Sequence, residues 1–167
     1  MFLAPLPFPA TRAERLARYA EVRQTLEALL EGDDDVVSAM ATVACELHHG
    51  FAWFHWTGFY RTIAPGLLAV GPYQGGHGCT RIPYDQGVCG AAARSGQAQV
   101  VPDVHRFPGH IACASSTLSE LVVPVFDAQG VVIGVLDIDS DEPAAFDDVD
   151  AAQVASIAAM LTRFERL

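Results

Sequence analysis

Residues 120–139 read Glu-Leu-Val-Val-Pro-Val-Phe-Asp-Ala-Gln-Gly-Val-Val-Ile-Gly-Val-Leu-Asp-Ile-Asp, and they decide the architecture. Two apolar, β-branched runs, 120–126 and 131–139, flank Asp127-Ala128-Gln129-Gly130, a turn with glycine where a positive φ is wanted. The segment is expected to form an antiparallel hairpin. Side chains alternate across a strand, so Asp137 and Asp139 share one face and Leu136 and Ile138 the other. The apolar face calls for helices to cover it. Two acids at the end of an apolar strand are costly if buried without partners. Glu120, opening the paired strand, adds a third. Like charges held close raise one pKa and leave a carboxylic acid able to donate a proton near neutrality. A solvated sheet face with harmless acids accounts for the same residues equally well.

Working outward, residues 53–60 (Trp-Phe-His-Trp-Thr-Gly-Phe-Tyr) predict a strand, and Ala64-Pro65-Gly66 turns the chain into a return strand over 67–73. A further strand is expected at 97–101. Trp56 and Tyr60 share strand parity, which suits either the wall of an apolar ligand pocket or ordinary sheet-face packing. Thr11-Arg12-Ala13-Glu14 has the form of a capping box, after which Leu16, Tyr19, Leu26, Leu29 and Leu30 recur at helical spacing. Gly32-Asp33-Asp34-Asp35 closes that helix and supplies an N-cap for a second, which runs to Gly50 and holds Cys45 among apolar neighbours, as a core thiol. A short helix is expected over 87–94, ended by Gly96. A last helix opens on the acids after Phe146, with Val154, Ile157, Ala158, Leu161 and Phe164 on its buried face. The order of elements gives an α+β fold, a central antiparallel sheet with helices on one face. A single domain over residues 1–167 is expected, with residues 1–10 as an irregular, proline-rich arm.

Apolar residues make up 51% of the 167, enough for a core without metal or disulfide staples. The formal net charge is −10, and all ten basic residues are arginines, without a cluster. That balance argues against nucleic acid and membrane surfaces as partners. No apolar run approaches the roughly 20 residues of a membrane span, and the proline-broken start has no basic n-region, so the cytoplasm is expected.

Three of the four cysteines fall in a glycine-rich stretch: Cys79 in Gly-Gly-His-Gly-Cys, Cys89 in Gly-Val-Cys-Gly and Cys113 in Gly-His-Ile-Ala-Cys. In a reducing compartment, grouped loop thiols point to redox chemistry or metal rather than structural bridges. None of the spacings is C-x-x-C, which disfavours a thioredoxin-like dithiol and a zinc site with tight ligand pairs. A nucleophilic thiolate with one or more resolving thiols remains. Cys89 lies near a helix N-terminus, where the partial positive charge is expected to lower a thiol pKa.

In chain order, Trp-Thr-Gly-Phe-Tyr, Gly-Pro-Tyr-Gln-Gly, Gly-Val-Cys-Gly, Asp-Val-His, Gly-His-Ile-Ala-Cys, Ser-Glu and Gly-Val-Leu-Asp-Ile-Asp-Ser resemble the GAF-domain free methionine-R-sulfoxide reductases. The resemblance runs from about residue 15 to the C-terminus. It implies a GAF fold with active-site loops on the face opposite the helices. The implied activity is reduction of free methionine-R-sulfoxide through a redox-active disulfide, recycled by thioredoxin as part of an oxidative stress response. By resemblance Cys113 is the catalytic cysteine, Cys79 the resolving one and Cys89 a third that assists recycling. Glu120 and Asp139 engage the sulfoxide oxygen, Asp137 the polar end of the substrate, and Trp56 and Tyr60 its methyl end. No metal or organic cofactor is implied, and a homodimer is, with the N-terminal helix as its candidate interface. The chain departs from the family at Gly76, where lysine is usual, at Gly78 in place of alanine, and at Ala114 and Leu118. The glycines predict a looser loop before Cys79. Two other classes fit parts of the pattern: a non-catalytic GAF ligand-binding or redox-sensor module, and a zinc module using Cys79, Cys113, His105 and His110.

Overall fold

The computed structural model describes residues 4–111 and 115–164; Cys113 and Ala114 lie outside the described residues. Its elements in chain order are α1 (Arg12–Leu29), α2 (Val36–Gly50), β1 (Trp56–Ala64), β2 (Leu67–Gln74), β3 (Arg81–Pro83), α3 (Gly87–Ser95), β4 (Gln99–Val101), β5 (Ser119–Phe126), β6 (Val132–Ser140) and α4 (Asp148–Ala158). Short 3-10 helices occupy Val104–Arg106 and Ala159–Arg163. The six strands form one antiparallel sheet in the order β3-β2-β1-β6-β5-β4. The hairpin at 120–139 therefore lies inside the sheet, with β1 closing over its second strand.

Helix ends obey the capping signals. At α1 the Thr11 side chain accepts from the Glu14 N–H at 3.3 Å, while Glu14 accepts from the Thr11 N–H at 2.7 Å. Asp35 accepts from the Ser38 N–H at 2.7 Å to start α2, and Gly96, at φ 64°, ends α3 in the left-handed conformation. At α4 the Asp147 side chain accepts from the N–H groups of Val149 and Asp150. The expected arm at residues 1–10 is tied down from Leu6, whose N–H donates to Gly50 O and whose carbonyl accepts from the Ala52 N–H, both at 2.9 Å.

Register places the side chains. Phe59 pairs with Leu136, and Leu136 with Val123, so these three point together into the layer under α1, α2 and α4. That layer buries Tyr19, Leu26, Met40, Val43, Leu47, Val154 and Ile157 to 5% exposure or less. Each fully buried large aliphatic or aromatic side chain contributes about 1.5–3 kcal/mol. On the opposite face α3 packs Val88, Cys89, Ala92 and Ala93 against Trp56, Tyr60, Val122 and Val135. Three helices thus cover one face, and the short α3 joins the loops on the other.

Three expectations change in detail. The first strand begins at Trp56 rather than Trp53. Phe51 and Phe54 stack at 4.5 Å and the Phe54 N–H donates to Phe51 O, so this segment turns and buries Trp53 in the helical layer. Leu16 and Leu29 stand exposed, because α1 presents Tyr19, Val22 and Leu26 to the core instead. Cys45 is half-buried, with Sγ 3.8 Å from His49 Nδ1 one turn on, rather than a core thiol.

Candidate active site

The sheet face opposite the long helices carries a row across three strands. Trp56 on β1 pairs with Asp139 on β6, and Asp139 pairs with Glu120 on β5. One step along, Gly58 pairs with Asp137 and Asp137 with Val122. Register alone therefore brings the tryptophan together with three acids that lie 64 to 83 residues further along the sequence. Gly58 is part of the construction. A methyl there would stand 2.3 Å from Tyr73 Cβ and 2.7 Å from the Trp56 ring, so glycine lets the indole lie down over the sheet.

Trp56, Tyr60 and Tyr73 form a stack, with ring centroids 5.6 Å (Trp56–Tyr60) and 5.3 Å (Trp56–Tyr73) apart. The loop before Cys79 is fastened to it. Trp56 Nε1 donates to Gly76 O at 3.1 Å, and a methyl on Gly78 would come within 2.8 Å of Tyr60 Oη and 2.9 Å of Trp56 Cζ2. The glycine here brings the backbone against the rings, which gives Gly78 a packing reason beside the looseness expected from sequence. Cys79 is disulfide-bonded, while the thiols of Cys45 and Cys89 are free.

Between α3, the His110–Ile111 segment and the acids lies a cavity with ≈ 20 Å³ of free space, lined by Cys89, His110, Thr117, Glu120, Asp137 and Asp139 among others. That is room for about one water. A roomier cleft of ≈ 370 Å³ beside α2 is lined by Val36, Met40, Ile63, Val131 and neighbours and holds no acid or thiol. Trp56 and Tyr60 do not line the small cavity in this form. They sit beside it, under the Cys79 loop, and the Tyr60 phenol is raised in pKa by burial and by the nearby Asp137, Cys89 and Asp139.

Electrostatics in the cavity run against ionisation. Burial first, then the charges of Asp137 and Asp139, hold Glu120 well above the usual carboxylate range. Asp139 is raised by burial and by Asp137, and Asp137 is pushed up to about 7 by burial. The hydrogen bonds that Cys89 and Glu120 offer Asp137 restrain that rise. Cys89 Sγ–H donates to Asp137 Oδ2 at 3.2 Å. The lowered thiol pKa expected for Cys89 is thus overturned: burial and three neighbouring acids raise it well above the ordinary value, and they outweigh the N-terminus of α3. Cys89 is a proton-holding thiol, not a thiolate.

Cys89, Glu120 and Asp137 offer donor atoms within 4.8 Å of one another, the spacing of a metal trio. The bias of all three toward their protonated forms suits hydrogen bonding to a polar substrate instead. Among the described residues lining the cavity none is an arginine. What the arrangement can do is deliver a proton to a buried oxygen beside a disulfide-forming cysteine. His110 also belongs to the site, with Nδ1 3.8 Å from Glu120 Oε2. Sequence reasoning noticed it only as a zinc candidate, although its place in Gly-His-Ile-Ala-Cys was a usable signal.

A family model described as GAF domain matches residues 32–163. A protein named free methionine-R-sulfoxide reductase from Escherichia coli is 37% identical over 145 residues, covering 87% of this chain and 87% of that protein. A structure of free methionine-R-sulfoxide reductase from Neisseria meningitidis in complex with its substrate superposes with a TM-score of 0.84 at 41% identity, covering 96% of this chain and 95% of that one. A putative GAF sensor protein from Burkholderia vietnamiensis has a TM-score of 0.84 at 40% identity, covering 92% of this chain and 95% of that one.

Proposed function

This chain belongs to the GAF-domain free methionine-R-sulfoxide reductase family, and from that premise we propose that it reduces free L-methionine-(R)-S-oxide to methionine. The single observation that carries the reading is a disulfide-bonded Cys79 beside a closed cavity of three carboxyl groups biased toward their protonated forms. That bias is what protonation of a departing sulfoxide oxygen requires.

In the cycle, the Cys113 thiolate attacks the sulfoxide sulfur while Glu120 or Asp139 protonates the oxygen. The oxygen passes to Cys113 as a sulfenic acid and methionine leaves. The Cys79 thiol displaces it as water, forming the disulfide, and thioredoxin returns both thiols by exchange. One sulfoxide and two thiols become one thioether, one disulfide and one water. Asp137 receives the ammonium end of the substrate, and Trp56 and Tyr60 wall its methyl end. Cys89 keeps its proton and steadies Asp137 between turnovers. The free space of ≈ 20 Å³ is far below the volume of an amino acid, so the residues that line it have to move apart before substrate enters. A pocket that satisfies both ends of a free amino acid rejects the residue within a peptide. The cycle needs no metal or organic cofactor, and its reductant places it in the cytoplasm as an oxidative stress response of a single domain over residues 1–167. Leu16 and Leu29, exposed on α1, suit a homodimer through that helix.

The test is NADPH consumption coupled through thioredoxin reductase and thioredoxin. Turnover is expected with the free R epimer and none with the S epimer or a peptide substrate. Cys79→Ser is expected to release about one methionine per enzyme and then stop. An inert wild-type enzyme with the R epimer would sink the reading and leave the sensor module standing.

A further inference from the structure

Glu120 has a side chain only 7% exposed, so a proton it gives away must come back by a defined route. Four titratable groups surround it: Asp137 and Asp139 from β6, Cys89 from α3, and His110 from the loop after the 3-10 helix Val104–Arg106. The first three are acids raised by the same burial, and each competes with Glu120 for a proton. His110 differs in kind. Its Nδ1 is buried with no hydrogen-bond partner among the described residues and lies 3.8 Å from Glu120 Oε2, while its backbone N–H donates to Phe107 O at 3.2 Å and holds the loop in place. A buried ring nitrogen left unpaired and aimed at a buried carboxyl needs an account. The imidazole is half-buried, so it connects Glu120 to the outside.

We propose that His110 is the positioning residue of Glu120, orienting its carboxyl and returning a proton to it through Nδ1 in every cycle. The proposal rests on the reductase reading. In oxygen transfer the sulfoxide S–O bond breaks and an S–O bond to Cys113 forms. The substrate sulfur gains the electron pair that the Cys113 sulfur loses, and the thiol hydrogen finishes on the transferred oxygen. No net proton enters or leaves. Glu120 supplies the oxygen's hydrogen, so the proton released when Cys113 ionises has to reach Glu120. His110 stands three residues before Cys113 in the chain and beside Glu120 in space. A neutral imidazole takes a proton on one nitrogen and releases one from the other, and exchange with solvent restores the tautomer. Burial and the neighbouring His105 keep the ring on the neutral side, as the relay requires. The 3.8 Å separation is about 1 Å beyond a hydrogen bond, and the relay requires it to close when the Cys79 disulfide opens.

The experiment measures methionine release by the full-length, pre-reduced protein from free methionine-R-sulfoxide. His110→Ala and the conservative His110→Asn are compared with wild type across pH 6–9. The expected result is a loss of about 100-fold or more in kcat for His110→Ala with KM within about twofold, partly restored by added imidazole in its unprotonated form. A purely structural role does not produce imidazole rescue or a kcat loss at constant KM. Wild-type kcat in both variants would overturn the inference and give the route to the half-buried Asp139. A loss seen in KM alone, or one that imidazole leaves untouched, overturns it as well. An inactive wild type defeats the reductase reading itself, which is a different failure.

Discussion

Two groups of acids in this molecule use the same residue types to opposite ends. Between α1 and α4, Asp147 and Asp150 meet Arg15: its guanidinium donates to Asp147 Oδ2 at 2.6 Å and to Asp150, whose other oxygen accepts from Tyr19 Oη–H at 2.9 Å. On the far face of the sheet, Glu120, Asp137 and Asp139 converge with Cys89, and among the described residues no arginine lines their cavity. With the cation present, Asp147 is held down to about 2 and remains a carboxylate. Without it, burial drives the other three upward, and Asp137 reaches about 7. Asp150, fully buried on the same guanidinium, is still raised by burial, so exposure and the arginine together separate the structural clasp from the proton-donating site.

The comparison is broken most severely at Glu120. Glu120→Gln keeps the shape but removes the exchangeable proton, so kcat is expected to fall by about 10²–10⁴-fold while the thermal midpoint holds or rises. Steady-state turnover and thermal unfolding of the same sample check it, and equal losses in both would make Glu120 structural. The mirror experiment is Arg15→Met. It leaves Asp150, fully buried, without its cation and is expected to cost about 3–5 kcal/mol of stability, with per-molecule activity of the folded fraction unchanged. Denaturant titration reads that cost.

pH sharpens the contrast because the signs are opposite. Asp137, raised in the folded state, leaves the native protein holding more protons than the unfolded chain between about pH 4 and 7. Stability from this group therefore falls as pH rises through that window. Asp147, depressed to about 2, contributes stability present above about pH 4 and lost as pH falls toward 2. Unfolding midpoints against pH are expected to show a shallower neutral slope in Asp137→Asn, the remainder coming from Glu120 and Asp139, and to keep the acid one. Arg15→Met should do the reverse. The smallest effect is expected from Cys89→Ser, which retains a donor for Asp137. A loss of less than about tenfold in turnover agrees with a thiol that holds its proton, whereas complete loss of cycling would restore Cys89 to the redox relay.

Much of the fold was legible because it is local. Thr11 with Glu14, Asp35, Gly96 and Gly130 mark boundaries through interactions that span a few residues, and each does so in the structure. Strand parity correctly put Asp137 and Asp139 on the face away from Leu136 and Ile138, and Trp56 together with Tyr60 on one face. Less legible was anything set by depth. Cys89 carried a helix N-terminus in its favour, and only the packing of α3 onto β5 and β6 showed the acids that cancel it. His110 was visible as a residue but not as a neighbour of Glu120, since ten residues of loop give no direction to a side chain.

By itself, then, the sequence determined the elements, their faces and the order of chemistry-bearing residues along the chain, because periodicity and capping act over one turn or one strand pair. Tertiary structure alone decided which acids remain charged. Arg15 lies 135 residues from Asp150, and nothing local says that it will pair with that acid while, among the described residues, no arginine lines the cavity of Glu120, Asp137 and Asp139. A pKa depends on burial and on charges within a few ångströms, and both are properties of the assembled sheet rather than of any stretch within it.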